Sequence, residues 1–342
     1  MQKGIRKAAA AAGFIMIAAI AATSLSCAKG GRTAMAKSVA VFVPGAVAGS
    51  PIYEQLAAGA RRAAEEEGAA FLLLEAGFDQ SAWEPKLTEL ALSGKWGLIV
   101  SSNPAIPELC VKALAAAPAQ RFFVADGYLA GNPNIATVLY NQVEQGYVAG
   151  YAAGLSAKAA GAPIVGAVLA QHYPTLDRAI LPGFEKGLKE ALPGATLETR
   201  VIGNWYDAQK AKELASSLTQ SGARVLFPVA GGAAQGVLSA ATEAGAKVVW
   251  FDDSGYGLAP GTVIACAVIR QEKLVYERVK AALRGKLAWG KAEILGFKEG
   301  FVDFDDANPL YASSNGAAER QAMGAVLEAF RSGKRSLESP TF

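Results

Sequence analysis

The chain has 342 residues, with 33 Lys+Arg against 30 Asp+Glu and a formal net charge of +3. Its hydrophobic fraction of 52% and charged fraction of 18% exclude a disordered or collagen-like chain and suit about two domains at roughly 100–200 residues each. The three excess bases, Lys3, Arg6 and Lys7, stand at the very start, so the remainder is charge-balanced and offers no concentrated basic surface to nucleic acid.

Residues 1–27 read MQKGIRKAAAAAGFIMIAAIAATSLSC. A basic start, an apolar stretch and small or polar residues before a cysteine form the layout of an export signal, so residues 1–26 are expected to be removed. The approach to Cys27, Ser24-Leu25-Ser26, is similar to a bacterial lipobox with Ser24 standing where Leu is usual. Cys27 is therefore expected to be the lipidated first residue, held at a bacterial membrane by its acyl chains and facing the periplasm or exterior. Residues 27–37 are small and basic, as a tether would be. Beyond Cys27 no apolar run reaches the ~18–20 residues of a spanning helix. Only Cys110 and Cys266 remain, read as two buried thiols.

From Ser38 on, β-branched runs alternate with Ala-rich stretches. The predicted strands are 40–43, 70–75, 97–101, 121–126, 135–140, 163–170, 196–202, 223–229, 247–252 and 262–269. Nearly continuous apolar strands spaced by helices predict parallel sheets covered on both faces. Ten strands are too many for one such sheet, and the second half repeats the rhythm of the first from about Ala162. Two doubly wound α/β lobes with a ligand cleft are expected. Ser50-Pro51 opens a helix running through Glu67. Asp207 caps another, closed by Gly222. A third, from Gln142 to Ala160, carries Gly146, Gly150 and Gly154, expected to pack closely against a sheet.

The single histidine, His172, leaves little room for His-based catalysis, and neither HExxH nor GxSxG occurs. No metal site is expected. GKLAWGKA (285–292) has the outline of a P-loop, but Ala292 replaces the magnesium-holding Ser/Thr and the segment follows a helix. VAGGAAQG (229–236), with Gly231 and Gly232, reads either as a backbone ligand contact or as a tight turn needing small residues. His172, with Tyr173, follows the strand at 163–170 and so stands at a carboxyl end, where open α/β sheets bind ligands; a structural hydrogen bond is its plainer role. Asp126, Asp252-Asp253 and Asn204-Trp205-Tyr206-Asp207 end strands too. Carboxylates with aromatics at two sheet mouths suit a flat ring bearing hydroxyls.

The stretches NQVEQGYVAGYAAGL (141–155), PGFEKGLK (182–189), NWYDAQKAKELA (204–215) and VLFPVAGGAAQGVL (225–238) occur in that order. On them the chain resembles the basic membrane protein family of substrate-binding lipoproteins, whose members include purine nucleoside receptors and a riboflavin receptor of ABC-type importers. The resemblance implies a type I periplasmic-binding protein, with an N-terminal lobe of 38–138 plus 268–297 and a C-terminal lobe of 140–266 plus 299–342. It implies a monomeric receptor that hands a small molecule to an ABC permease, with no enzyme activity and no cofactor. Trp205 matches the aromatic clamp of the second lobe, Asp252 the ribose carboxylate and Asp126 the base-facing acid. Gln142, Gly231 and Gly232 join them as expected ligand contacts, with Ser50, Asn141, His172, Tyr173 and Asn204 around them. Two departures matter. The family's clamp Phe falls at Ile52 of GSPIY (49–53), leaving Tyr53 as the nearest aromatic, and a ribose-holding Lys falls at Ile269. A wider Tyr53/Trp205 clamp without that cation ranks riboflavin ahead of purine nucleosides. A secreted nucleoside-processing enzyme would need a metal cluster, a base or GxGxxG. A ligand sensor would use the same cleft.

Overall fold

The computed structural model describes residues 37–341. The leader, Cys27 and most of the tether lie outside the described residues. The first sheet contains β1 (Ser38–Val43), β2 (Ala70–Glu75), β3 (Leu98–Ser102), β4 (Phe122–Ala125), β5 (Ile135–Tyr140) and β11 (Ala292–Leu295), in the order β11-β5-β4-β3-β1-β2. The second contains β6 (Ile164–Leu169), β7 (Thr196–Val201), β8 (Val225–Val229), β9 (Lys247–Asp252), β10 (Val263–Ile269) and β12 (Val302–Phe304), in the order β12-β10-β9-β8-β6-β7. The ten predicted strands are all present. The two that the sequence did not announce, β11 and β12, are the short ones at the edges.

Between them run α1 (Pro51–Glu66), α2 (Trp83–Leu92), α3 (Ile106–Ala116), α4 (Gln142–Ala159), α5 (Leu181–Ala191), α6 (Ala208–Gln220), α7 (Ala234–Ala244), α8 (Gln271–Leu283), α9 (Pro309–Ser314) and α10 (Ala317–Arg331). Adding five to the numbers of β1–β5 turns the order of the first sheet into that of the second, so the lobes repeat one topology. All pairings are parallel except β10 with β12. Both sheets are covered by helices, as buried parallel strands require.

Among the described residues the chain passes between the sheets three times: from β5 into α4, from β10 into α8, and from β11 into β12. The second passage corrects the expected start of a returning segment at residue 268. Val268 pairs with Asp252 and Asp303, and Ile269 with Val302, so β10 stays in the second sheet to its last residue. Glu144 ties the first and third passages to each other and to the C-terminal segment: its Oε2 accepts from the Phe297 N–H at 3.0 Å and its Oε1 from the Leu337 N–H at 3.2 Å. Asn141 Nδ2 donates to the Leu337 carbonyl at 2.7 Å.

The glycine stripe of α4 packs on a helix, which corrects the expectation of a sheet. A Cβ at Gly146 would strike the Ile180 carbonyl, and one at Gly150 the Phe184 carbonyl. From the other side, Gly183 and Gly187 lie against the carbonyls of Val143 and Tyr147. Small residues on both faces let α4 and the segment 180–191 approach backbone to backbone. Cys110 on α3 and Cys266 on β10 are both free and buried, and burial pushes both thiols up.

Candidate ligand-binding site

Two residues define the site by their backbones. Asp126, which follows β4, has φ 51°, and Asp252, which ends β9, has φ 78°. They are the non-glycine residues with positive φ among the described residues. That region costs about 1–3 kcal/mol for a residue with a Cβ, and persists where the surroundings hold it. Strands β4 and β9 are equivalent in the two lobes, so one strained aspartate stands at the same place in each.

The two carboxyls are both buried, and each acts electrostatically on a tyrosine of the opposite lobe. Asp126 and Asp252 both raise the phenols of Tyr140 and Tyr173, after burial, which is the larger cause. Burial pushes Asp126 up to about 6. Asp252 is pushed up to about 7, chiefly by burial and further by Asp126 and Asp253, while Gln145 pulls it down. Asp126 Oδ1 is inaccessible and has no hydrogen-bond partner. Asp253 is raised by burial, held by the Trp250 indole N–H at 2.5 Å, and raised further by Glu54 from the opposite lobe.

On the first-lobe side, α1 begins at Pro51 with Ser50 as N-cap, though the Ser50 side chain makes no capping bond. The Gly49 N–H instead donates to Glu54 Oε1 at 3.1 Å. Tyr53, in the first turn of α1, donates to the Pro44 carbonyl at 3.2 Å and accepts from Asn103 Nδ2 at 3.5 Å. Burial pushes its phenol up to about 12; Asn103 opposes this and Asp126 adds to it. Ile52 gives its carbonyl to Gln271 Nε2 at 2.7 Å, and the Gln271 carbonyl oxygen accepts from Ser102 and Tyr140 at 3.1 and 3.3 Å.

On the second-lobe side, Trp205 tilts against Tyr173 with ring centroids 5.6 Å apart. Gly231, at φ +53°, lies under the indole: a Cβ there would come within 3.2 Å of Trp205 Cε3. Gly232 approaches the Gly49 carbonyl of the first lobe, at 3.6 Å from a Cβ built on it. The buried Gln142 donates to Gln145 Oε1 at 3.4 Å, and its own Oε1 has no partner.

Three expected contacts turn out to organise local structure. Asn204 accepts from the N–H groups of Tyr206 and Asp207 at 3.0 and 2.8 Å, shaping the loop. Asn141 caps α4 and holds Leu337. His172 stays exposed with its Nδ1 2.8 Å from Asp177. No group of three or more His, Cys, Asp or Glu among the described residues is placed to hold a metal ion.

The family of ABC transporter substrate-binding proteins described as Bmp, PnrA-like, matches residues 36–328. The chain belongs to that family. This Bmp-family chain is 29% identical over 169 residues to basic membrane protein D of Borreliella burgdorferi (strain JD1), covering 48% of each chain. It is 25% identical over 124 residues to the ABC transporter nucleoside-binding protein BmpA of Lactococcus lactis subsp. cremoris, covering 36% of this chain and 34% of that one. The match thus spans about half the length of the first relative and about a third of the second. A solute-binding protein of an ABC transporter system from Aeropyrum pernix K1 superposes with a TM-score of 0.79 at 23% identity, over 89% of this chain and 93% of that one. This likeness shows the fold: a Bmp-family α/β protein with two parallel-sheet lobes.

The sequence reading missed Phe78, Tyr140, Gln145 and Gln271. Phe78 follows β2 and meets Tyr206, which follows the equivalent β7, with ring centroids 5.5 Å apart. Both rings are exposed, at 52% and 62%, and this contact crosses from lobe to lobe. Phe78 and Tyr140 stand at strand carboxyl ends, the signal already used for Asp126. Gln145 lies inside α4 and Gln271 opens α8, and only the packing of those helices reveals them.

Proposed function

We propose that this chain is the lipid-anchored receptor of an ABC-type importer and that it closes its two lobes on a flat heteroaromatic ligand bearing hydroxyls, with riboflavin as that ligand. The observation that carries this reading is the pair of strained, buried aspartates at equivalent strand ends, acting electrostatically on the buried Tyr140 and Tyr173 and, for Asp126, on Tyr53. Strain of this kind collects at ligand clamps. Tyr53 and Trp205 supply stacking faces on opposite lobes, Asp252 accepts from hydroxyls, and Asp126 accepts from a ring N–H. Ser50, Gln142, Gly231, Gly232 and Tyr173 complete the lining. Ile269 supports the flavin, since the cation that would hold a closed ribose in relatives is absent from this position.

In this reading residues 1–26 are cleaved, Cys27 carries acyl chains, and the monomeric receptor delivers its ligand to a permease in the membrane. The lobes, 38–140 with the return after Ile269 and 141–269 with residues 299–342, since β5 keeps Tyr140 in the first sheet, move about the three passages as a hinge. Purine nucleosides are the second reading, favoured by the Lactococcus relative, named as nucleoside-binding. A thermal-shift series with riboflavin, adenosine and guanosine tests both, because a ligand that binds the native state raises Tm by mass action. A rise with riboflavin supports the first reading. A rise confined to the nucleosides replaces it with the second, and no rise with any of them contradicts both ligand readings.

A further inference from the structure

Asp252 is held in an unusual way. Gln145 Nε2, from α4, donates to Asp252 Oδ1 at 3.1 Å and to the Ala267 carbonyl of β10 at 3.1 Å. One fully buried carboxamide therefore fixes the carboxylate against the neighbouring strand without bringing a charge. The influences on Asp252 are burial, Gln145, Asp126 and Asp253, and burial alone acts on Asp126. The groups around the pair from the other packed elements are neutral or acidic: Tyr53 on α1, Tyr140 on β5, Tyr173 after β6 and Gln142 on α4, with Glu54 acting on Asp253. Asp126 Oδ1 and Gln142 Oε1 are buried acceptors without donors.

We propose that Gln145 is a positioning residue for the ligand: it orients Asp252 with a neutral donor, leaving the Asp126–Asp252 pair its negative charge, so that the ligand must bring hydrogen-bond donors to both acids and its binding releases a proton. This deepens the receptor reading and rests on it. When the lobes close on an empty cleft, the charged form of each acid is disfavoured by burial, and that of Asp252 by Asp126 as well, and a proton is retained. Ligand donors stabilise the ionised form, so the proton leaves as the ligand enters. Affinity accordingly rises with pH across about 6 to 7, the window set by the two raised acids. A cationic holder would neutralise Asp252 in place of the ligand. A neutral one makes the site selective for donors.

Calorimetric titrations with riboflavin, 3-methylriboflavin, adenosine, guanosine and thiamine at pH 5, 6, 7 and 8, in buffers of different ionisation heat, test this directly. We expect affinity at pH 5 to be at least about tenfold below that at pH 8, the change set by one carboxyl moved by about one pH unit, with proton release visible as a buffer-dependent heat near pH 6.5. Riboflavin should bind more tightly than 3-methylriboflavin, which lacks the ring N–H. Gln145→Leu should weaken binding and move the pH midpoint upward. Gln145→Asn, which keeps the amide but shortens its reach, should act in the same direction and covers the case in which the first variant does not fold. A riboflavin or nucleoside affinity flat from pH 5 to 8 overturns the inference while the receptor reading stands. Binding of thiamine alone, with the expected pH slope, keeps the inference and overturns riboflavin and the nucleosides as ligands. No binding by any of the five overturns both. Folded Gln145 variants with wild-type affinity and midpoint overturn the positioning role.

Discussion

The lobes repeat one strand order, yet the helix pairs that join them are built on different principles. The helix after β5 crosses over to pack on the segment leading into and through α5, and the helix after β10 crosses back to pack on α1. These pairs are equivalent. The α4/α5 pair meets through glycines on both sides, backbone to backbone. The α8/α1 pair has Gly59 against the Glu272 carbonyl and a rim of charge: Arg62–Glu272 at 2.6 Å, Lys280–Glu66 at 2.6 Å and Arg284–Glu67 at 2.7 Å. The same topology is thus closed by steric fit in one lobe and by fit plus ion pairs in the other. The lesson extends to the acids: Asp126 has a carboxylate oxygen without a partner, whereas its equivalent, Asp252, is held by Gln145 because α4 passes directly beneath it.

The comparison can be broken first at the glycine seam. Gly150→Leu places a branched side chain against the Phe184 carbonyl, and overpacking of this kind costs about 1–3 kcal/mol, more where backbone opposes it. A chemical-denaturation midpoint should fall sharply, with the second lobe losing cooperativity. Asp252→Ala comes next, removing charge-assisted hydrogen bonds worth about 1.5–3 kcal/mol, which calorimetry reads as a ten- to hundredfold loss of affinity. Trp205→Ala loses stacking of roughly 0.5–1.5 kcal/mol together with buried area, so binding should weaken by more than about tenfold.

Asp126→Asn gives a stability effect of opposite sign to its binding effect. The acid of Asp126 is raised in the folded protein, so the folded state holds its proton more tightly than the unfolded chain does. Its contribution to stability is present at low pH and is lost as pH rises through about 6. The unliganded variant should therefore melt higher than wild type above pH 7, match it near pH 4, and bind ligand less well. The smallest effect belongs to the charged rim. Arg62 and Glu272 are 48% and 42% exposed, and an exposed pair contributes about 0–1 kcal/mol. Arg62→Ala should shift Tm by a few degrees at most, and less in high salt. Ile269→Lys sharpens the ligand question: it should leave riboflavin unimproved and raise nucleoside affinity.

Much of this architecture was legible in the sequence. Apolar runs such as KVVWFD announce buried parallel strands, and Asp207 announces a helix start that the structure shows, with its side chain accepting from the Lys210 N–H at 2.9 Å. The edge strands were not legible, because AEIL and VDF are short and carry no period of their own. The glycine seam was read against the wrong surface, since a stripe of small residues says that something comes close without saying what. Asp126 and Asp252 were visible as acids at strand ends. Their left-handed backbones, and the glutamines that surround them, depend on how α4 and α8 cross between lobes, which local sequence does not encode.

The account stands most directly on a fluorescence titration of riboflavin with the purified protein at pH 7.5, run in parallel with Asp252→Ala. It predicts saturable quenching of the flavin at one site per chain, with affinity at least about tenfold weaker in the variant, the loss expected for charge-assisted bonds. Quenching of equal strength in both proteins, or none in the wild type while adenosine or guanosine binds tightly, would contradict it.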